Sequence, residues 1–140
     1  MNDPAMSLAP FIYFYGRCEE ALTAYADALG GTYTVNARNA GAGADHRVGA
    51  SFQNKVSQAE FRAPGISFMA SDGPGPRTID PADGNISLVV TIPDSAKGAR
   101  AFAVLSEGGN VKVPLQSAAW GGRYGILHDR FGTEWIVNIP

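Results

Sequence analysis

A chain with a single cysteine, Cys18, cannot close an internal disulfide, so its fold has to be held by packing alone. An excess of basic charge is missing as well. Lys and Arg number 11 against 13 Asp and Glu, a net charge of -2, and neither nucleic acid nor an anionic membrane is an expected partner. No apolar run reaches the roughly 18 residues that a membrane span requires. No basic segment followed by an apolar stretch opens the chain in the manner of a secretory signal. The expected location is therefore cytoplasmic, and the Asn85-Ile86-Ser87 acceptor pattern is a chance match.

What is present suffices for one core. At 140 residues the length prior gives one domain, and folding at this size buries roughly two-thirds of the unfolded chain's surface. After a polar arm, Ala9 to Tyr15 reads as a strand with Tyr13 and Tyr15 on one face and Ile12 and Phe14 on the other. The period then changes. Leu22, Tyr25 and Leu29 recur at helical spacing from Cys18 to Leu29, with Glu19 and Glu20 in the first turn and Gly30-Gly31 at the end. Tyr33 to Val35 is a short strand, and Asn36 to Gly49 reads as a mobile Gly-rich loop whose Gly41-Ala42-Gly43 lacks the setting of a dinucleotide site. Val56 to Arg62 and Ile66 to Ser71 make a hairpin at Pro64-Gly65, and Asp72 to Gly84 is a second loop rich in Gly and Pro.

The second half repeats this order. Ile86 to Ile92 is a strand, and Ser95 to Glu107 a helix with Ala99, Phe102 and Ser106 on its face, ended by Gly108-Gly109. Val111 to Val113 is a short strand. A closing hairpin then joins Arg123 to His128 and Glu134 to Ile139 through Arg130-Phe131-Gly132, with Gln116 to Trp120 leading in. The repetition predicts two strand-helix-strand-strand-strand modules, one over about residues 9–72 and the other over about 85–139, with 73–84 as linker.

Three stretches carry a family likeness: Trp120-Gly-Gly-Arg-Tyr-Gly, the Asp129-Arg-Phe-Gly132 turn and Trp135-Ile-Val-Asn138. With Phe11-Ile-Tyr-Phe-Tyr-Gly-Arg-Cys-Glu-Glu-Ala21, Ala28-Leu-Gly-Gly31 and Met69-Ala-Ser-Asp72 they resemble PhnB-like proteins, a branch of the vicinal-oxygen-chelate superfamily that includes glyoxalase I, bleomycin-resistance proteins and extradiol dioxygenases. The resemblance implies an α+β fold of paired βαβββ modules forming a cupped mixed sheet with helices outside, and a homodimer. Active members of the superfamily hold a divalent ion with His and carboxylate side chains from strands one, four, five and eight. Here those strands read Pro10-Phe-Ile-Tyr-Phe14, Ile66-Ser-Phe-Met-Ala-Ser71, Asn85-Ile-Ser-Leu-Val89 and Trp135-Ile-Val-Asn138, without His, Asp, Glu or Cys. Matched to glyoxalase I, the first and last ligand positions fall near Pro10 and Ile136, so no metal or other cofactor is expected.

The same likeness places Phe14, Gln58, Met69, Gln116, Trp120 and Arg123 at the cup, where a few polar groups among apolar walls suit a small organic ligand. Arg123 shares its strand face with Gly125 and Leu127, so Tyr124 replaces it if that face is the convex one. The family's more frequent Glu-Thr-Phe-Trp run is Ser117-Ala-Ala-Trp120 here, which removes a carboxylate and an aromatic wall. The loops 36–49 and 73–84 are the expected lids. His46 and His128 read as loop and strand-end histidines, Glu60 and Glu134 as surface carboxylates, Asp72 as a loop cap, and Cys18 as a packed thiol. The expected function is small-molecule binding or sequestration of the bleomycin-resistance type. The alternative is a metal-dependent lyase, isomerase or dioxygenase. A methyltransferase label that some family members carry conflicts with the missing nucleotide-binding fold.

Overall fold

The computed structural model describes residues 5–41, 48–77, 80 and 83–140. Its elements run β1 (Phe11–Tyr13), α1 (Cys18–Leu29), β2 (Thr32–Arg38), β3 (Val56–Ala63), β4 (Ile66–Ser71), β5 (Ser87–Thr91), α2 (Ser95–Ser106), β6 (Asn110–Ser117), β7 (Arg123–His128) and β8 (Glu134–Ile139), with one-turn 3-10 helices at Asn39–Gly41 and Ala50–Phe52. This is the βαβββ order twice over. The strands form two four-stranded sheets, ordered β1-β4-β3-β2 and β5-β8-β7-β6. In each, the first strand pairs parallel with the last of its module and the remaining pairs are antiparallel. The chain divides into two compact units, one of residues up to Leu22 with Gly31–Pro76, the other of Thr23–Gly30 with Arg77–Pro140.

Several boundaries differ from the sequence reading, each for a local reason. β1 stops at Tyr13, because Tyr15 and Gly16 both take positive φ (49° and 106°) and turn the chain toward α1. β2 and β6 are longer than expected. Both are edge strands, where polar residues dilute the apolar signal and a proline is tolerated; Pro114 falls where the β6 ladder shifts register. Asn36 to Arg38 therefore belong to a strand and not to a loop. Residues 42–47 of that expected loop lie outside the described residues, as do 78, 79, 81 and 82 of the second.

In the second unit α2 starts at an Asp94 cap, whose carboxylate accepts from the Lys97 amide at 3.0 Å. Its buried stripe is Gly98, Ala101, Phe102 and Leu105, rotated by about one residue from the Ala99, Phe102 and Ser106 face expected. Close approach explains the shift. A Cβ at Gly98 would come within 2.6 Å of Ile139, and one at Gly125 within 2.5 Å of Phe102, so the two glycines let the helix seat against β7 and β8. Leu127, Trp135, Val137 and Ile139 complete the buried layer on this side of the sheet.

Candidate functional site

Two buried carboxylates draw attention first, and both have structural work that accounts for them. Asp72, in the first unit, accepts through Oδ1 from the Gly16 and Cys18 amides (2.9 and 2.7 Å) and through Oδ2 from the Val56 amide (2.8 Å). It thus satisfies amides at the start of α1 that the helix itself leaves unpaired. Burial, with the charge of Asp72 and then Glu19 adding to it, pushes the Cys18 thiol up to about 12. At neutral pH this cysteine is an inert packed thiol, despite its place at a helix N-terminus.

Asp129, in the second unit, is the anchor of the closing hairpin. Its Oδ1 accepts from the Phe131 and Thr133 amides, each at 2.9 Å, and its Oδ2 from the Trp135 indole at 2.9 Å and the Tyr25 hydroxyl at 2.5 Å. The Tyr25 and Trp135 rings meet edge to face at 5.2 Å. Burial first, then the Asp129 charge and hydrogen bond, hold the Tyr25 phenol well above its usual 10.0. Sequence periodicity placed Tyr25 in the core but missed this network.

Strand alternation leaves the other face of the second sheet open, and its ladder registers arrange that face in three rows. The first row pairs Ser87 with Glu134 and Glu134 with His128. Here the Ser87 hydroxyl donates to Glu134 Oε2 at 2.7 Å, His128 Nε2 lies 3.9 Å from the same oxygen, and Lys112 Nζ lies 3.6 Å from Oε1. The Ser87 hydrogen bond foremost, with Lys112 and His128 assisting, holds the Glu134 carboxyl below its usual range against some desolvation. The second row is apolar, pairing Val89 with Ile136 and Ile136 with Ile126. In the third, Asn138 pairs with Thr91 on one side and Tyr124 on the other, and Tyr124 with Gln116. Its side chains are linked, Asn138 to the Thr91 hydroxyl at 3.4 Å and the Gln116 amide to the Tyr124 hydroxyl at 3.3 Å.

Trp120 belongs to this third row's end. It is 71% exposed, and its ring lies 5.2 Å from that of Tyr124. Of the residues singled out in the sequence, Gln116 and Trp120 thus meet on one tyrosine. Arg123 lies on the helix side, where its guanidinium donates to the Ser95 hydroxyl at 2.8 Å at the start of α2, and Tyr124 takes the open face. Phe14 is 4% exposed in the core of the first unit. Gln58 and Met69 are also in the first unit, Gln58 exposed on β3 and Met69 half-buried on β4 opposite Phe11 and Glu60. Glu60 forms an ion pair with Arg62. The sequence reading passed over the first row as surface, although Ser87, His128 and Glu134 keep the same alternation as Tyr124 and Asn138.

Metal ligation needs several converging donors. Among the described residues no three His, Cys, Asp or Glu side chains come together in that way. β8 begins one residue earlier than the stretch read as its ligand strand, so it does carry a carboxylate, Glu134. Among the described residues that carboxylate has His128 alone as a neighbouring donor of metal type, and the Lys112 ammonium stands beside it. These residues do not fit a divalent-ion site. His46 lies outside the described residues.

A protein-family model described as 3-demethylubiquinone-9 3-methyltransferase matches residues 6–138. The fold is similar to the crystal structure of protein PA1353 from Pseudomonas aeruginosa, at 30% identity and a TM-score of 0.75, over 95% of this chain and 98% of that one. It is also similar to a PhnB protein from Bacillus cereus described as a putative 3-demethylubiquinone-9 3-methyltransferase, at 24% identity and a TM-score of 0.76, over 96% and 100% of the two chains. A glyoxalase/bleomycin resistance protein/dioxygenase superfamily member from Sphaerobacter thermophilus shares the fold at 16% identity and a TM-score of 0.56, over 98% of each chain. With nearly the whole length matched, the chain belongs to the family whose model is described as 3-demethylubiquinone-9 3-methyltransferase, and it has the fold of the PhnB and glyoxalase/bleomycin resistance proteins.

Proposed function

We propose that the protein binds or sequesters a small organic molecule on the open face of its second sheet, without the divalent ion of the superfamily's enzymes. One observation carries this reading. An exposed indole, Trp120, is laid against Tyr124, and the Tyr124 hydroxyl is in turn held by Gln116. A solvent-facing tryptophan beside a second ring offers a planar or apolar ligand a surface to stack on, while the amide and phenol fix its orientation. Gln116 and Tyr124 are the polar handles of this site, and Arg123 is left to hold the start of α2.

The methyl transfer named in the family's description is not part of this reading. Nucleotide-type cofactors are ordinarily held at the carboxyl edge of a parallel sheet, and each sheet here contains a single parallel strand pair. We also propose a homodimer, since Phe11 and Tyr13 are exposed apolar residues on the edge strand β1. Light scattering at micromolar concentration should then report twice 14.7 kDa, and a species of 14.7 kDa alone contradicts the dimer. For the ligand, native mass spectrometry of purified protein should show a retained small molecule, or a compound screen should yield binders that Trp120→Ala weakens about tenfold, the loss of one stacking contact. A folded Trp120→Ala protein that binds every hit unchanged refutes the site.

A further inference from the structure

The row at the other end of the open face specifies the chemistry of the ligand. Each of the four strands delivers one polar side chain to the same place: Ser87 from β5, Lys112 from β6, His128 from β7 and Glu134 from β8. The Glu134 carboxylate is the group they surround. Its Oε2 takes the Ser87 hydroxyl at 2.7 Å and has His128 Nε2 at 3.9 Å, and its Oε1 has Lys112 Nζ at 3.6 Å. Of these three neighbours, Ser87 is at hydrogen-bond distance from the carboxylate, while the Lys112 ammonium and the His128 imidazole stand farther off. The Lys112 side chain is 57% exposed while that of Glu134 is 21% exposed, so an incoming group meets the ammonium before the carboxylate. An ammonium has three N–H groups, and this one has a single long ion pair to occupy them.

Resting on the binding reading above, we propose that the ligand is an organic anion. Its carboxylate or sulfonate oxygens engage Lys112 and His128, and its apolar or planar body crosses Ile136 toward Tyr124 and Trp120. The dimensions suit such a molecule. Rows two residues apart on a strand are separated by ~7 Å, so the charged and aromatic rows stand ~13 Å apart with the apolar row between them. Glu134 acts here as a positioning residue that holds the ammonium and imidazole in place before the anion arrives.

The test compares two fluorescent probes of one shape, 8-anilinonaphthalene-1-sulfonate and its uncharged counterpart N-phenyl-1-naphthylamine. Each is titrated into wild type, Lys112→Met and Trp120→Ala, with thermal melts confirming that the variants fold. Wild type should bind both, the sulfonate more tightly and with a salt dependence that the neutral probe lacks. Lys112→Met should weaken the sulfonate about fivefold, the scale of an exposed ion pair, and leave the neutral probe within about twofold. If Lys112→Met affects neither probe, or both alike, while Trp120→Ala weakens both, the anion assignment fails and the binding site stands. If neither probe binds wild type, the binding reading itself fails. Should sulfonate affinity drop as protein concentration rises, a second copy of the chain occupies the face and the inference is overturned.

Discussion

In the first unit the buried carboxylate, Asp72, accepts only backbone amides, at the start of α1 and of β3; in the second, Asp129 accepts two amides of a turn and two side-chain donors, Tyr25 and Trp135. The surfaces diverge in the same way. On the first unit the exposed Phe11 and Tyr13 rings lie side by side, tilted at 52° with centres 5.2 Å apart, an apolar strip that suits a partner surface. On the second, the apolar residues are confined between a charged row and a row of amide, hydroxyl and ring groups. One strand order thus supports two kinds of face. The difference suggests that the first unit is given to assembly and the second to recognition.

The largest effect that would break this comparison is expected from Asp129→Ala. It removes the carboxylate that the buried Tyr25 hydroxyl and Trp135 indole both donate to, and should cost about 4 kcal/mol in urea unfolding. Asp72→Ala strands three backbone amides and should cost about 3 kcal/mol. If the two losses are reversed in size, the second unit's anchor is not the stronger one.

Tyr25 sharpens the contrast through pH. Its folded pKa lies above the ordinary 10.0, so its contribution to stability is complete below that value and is lost as pH rises toward the folded pKa. Tyr25 should ionise only as the protein unfolds, when the absorbance at 295 nm of wild type is compared with that of Tyr25→Phe. Ionisation of Tyr25 with the fold intact contradicts the network. The smallest effect belongs to Glu134. Its folded pKa is lowered below 4.5, so its contribution is present above 4.5 and is lost as pH falls through the folded value. Glu134→Gln should therefore flatten the acid limb of the stability curve and leave pH 7 to 9 unchanged in shape; an unaltered acid limb removes Glu134 from the account.

The sequence was most legible where signals are local. The acidic first turn and the Gly30-Gly31 stop delimited α1, and Gly132 marked the closing turn. The edge strands β2 and β6 were read short, because Asn36 and Pro114 interrupt the alternation that burial would otherwise impose. The carboxylate networks were not legible at all. Tyr25 and Asp129 are 104 residues apart, and nothing local distinguishes an aspartate that caps a turn from one that also receives a buried phenol. For the candidate site, Gln116 and Trp120 were singled out by likeness to a family, whereas the charged row needed strand register, which brings Ser87 beside Glu134 across 47 residues.

Indole N–H signals in a heteronuclear NMR spectrum give the most direct test of recognition by the second unit. The protein has two tryptophans, one exposed beside Tyr124 and one buried on Asp129, and each reports on a different side of the same sheet. On adding any small molecule that binds, the Trp120 signal should move in a saturable way while that of Trp135 stays in place. Saturable binding that shifts signals of Phe11 and Tyr13 and leaves Trp120 unmoved would put recognition on the first unit and contradict the account.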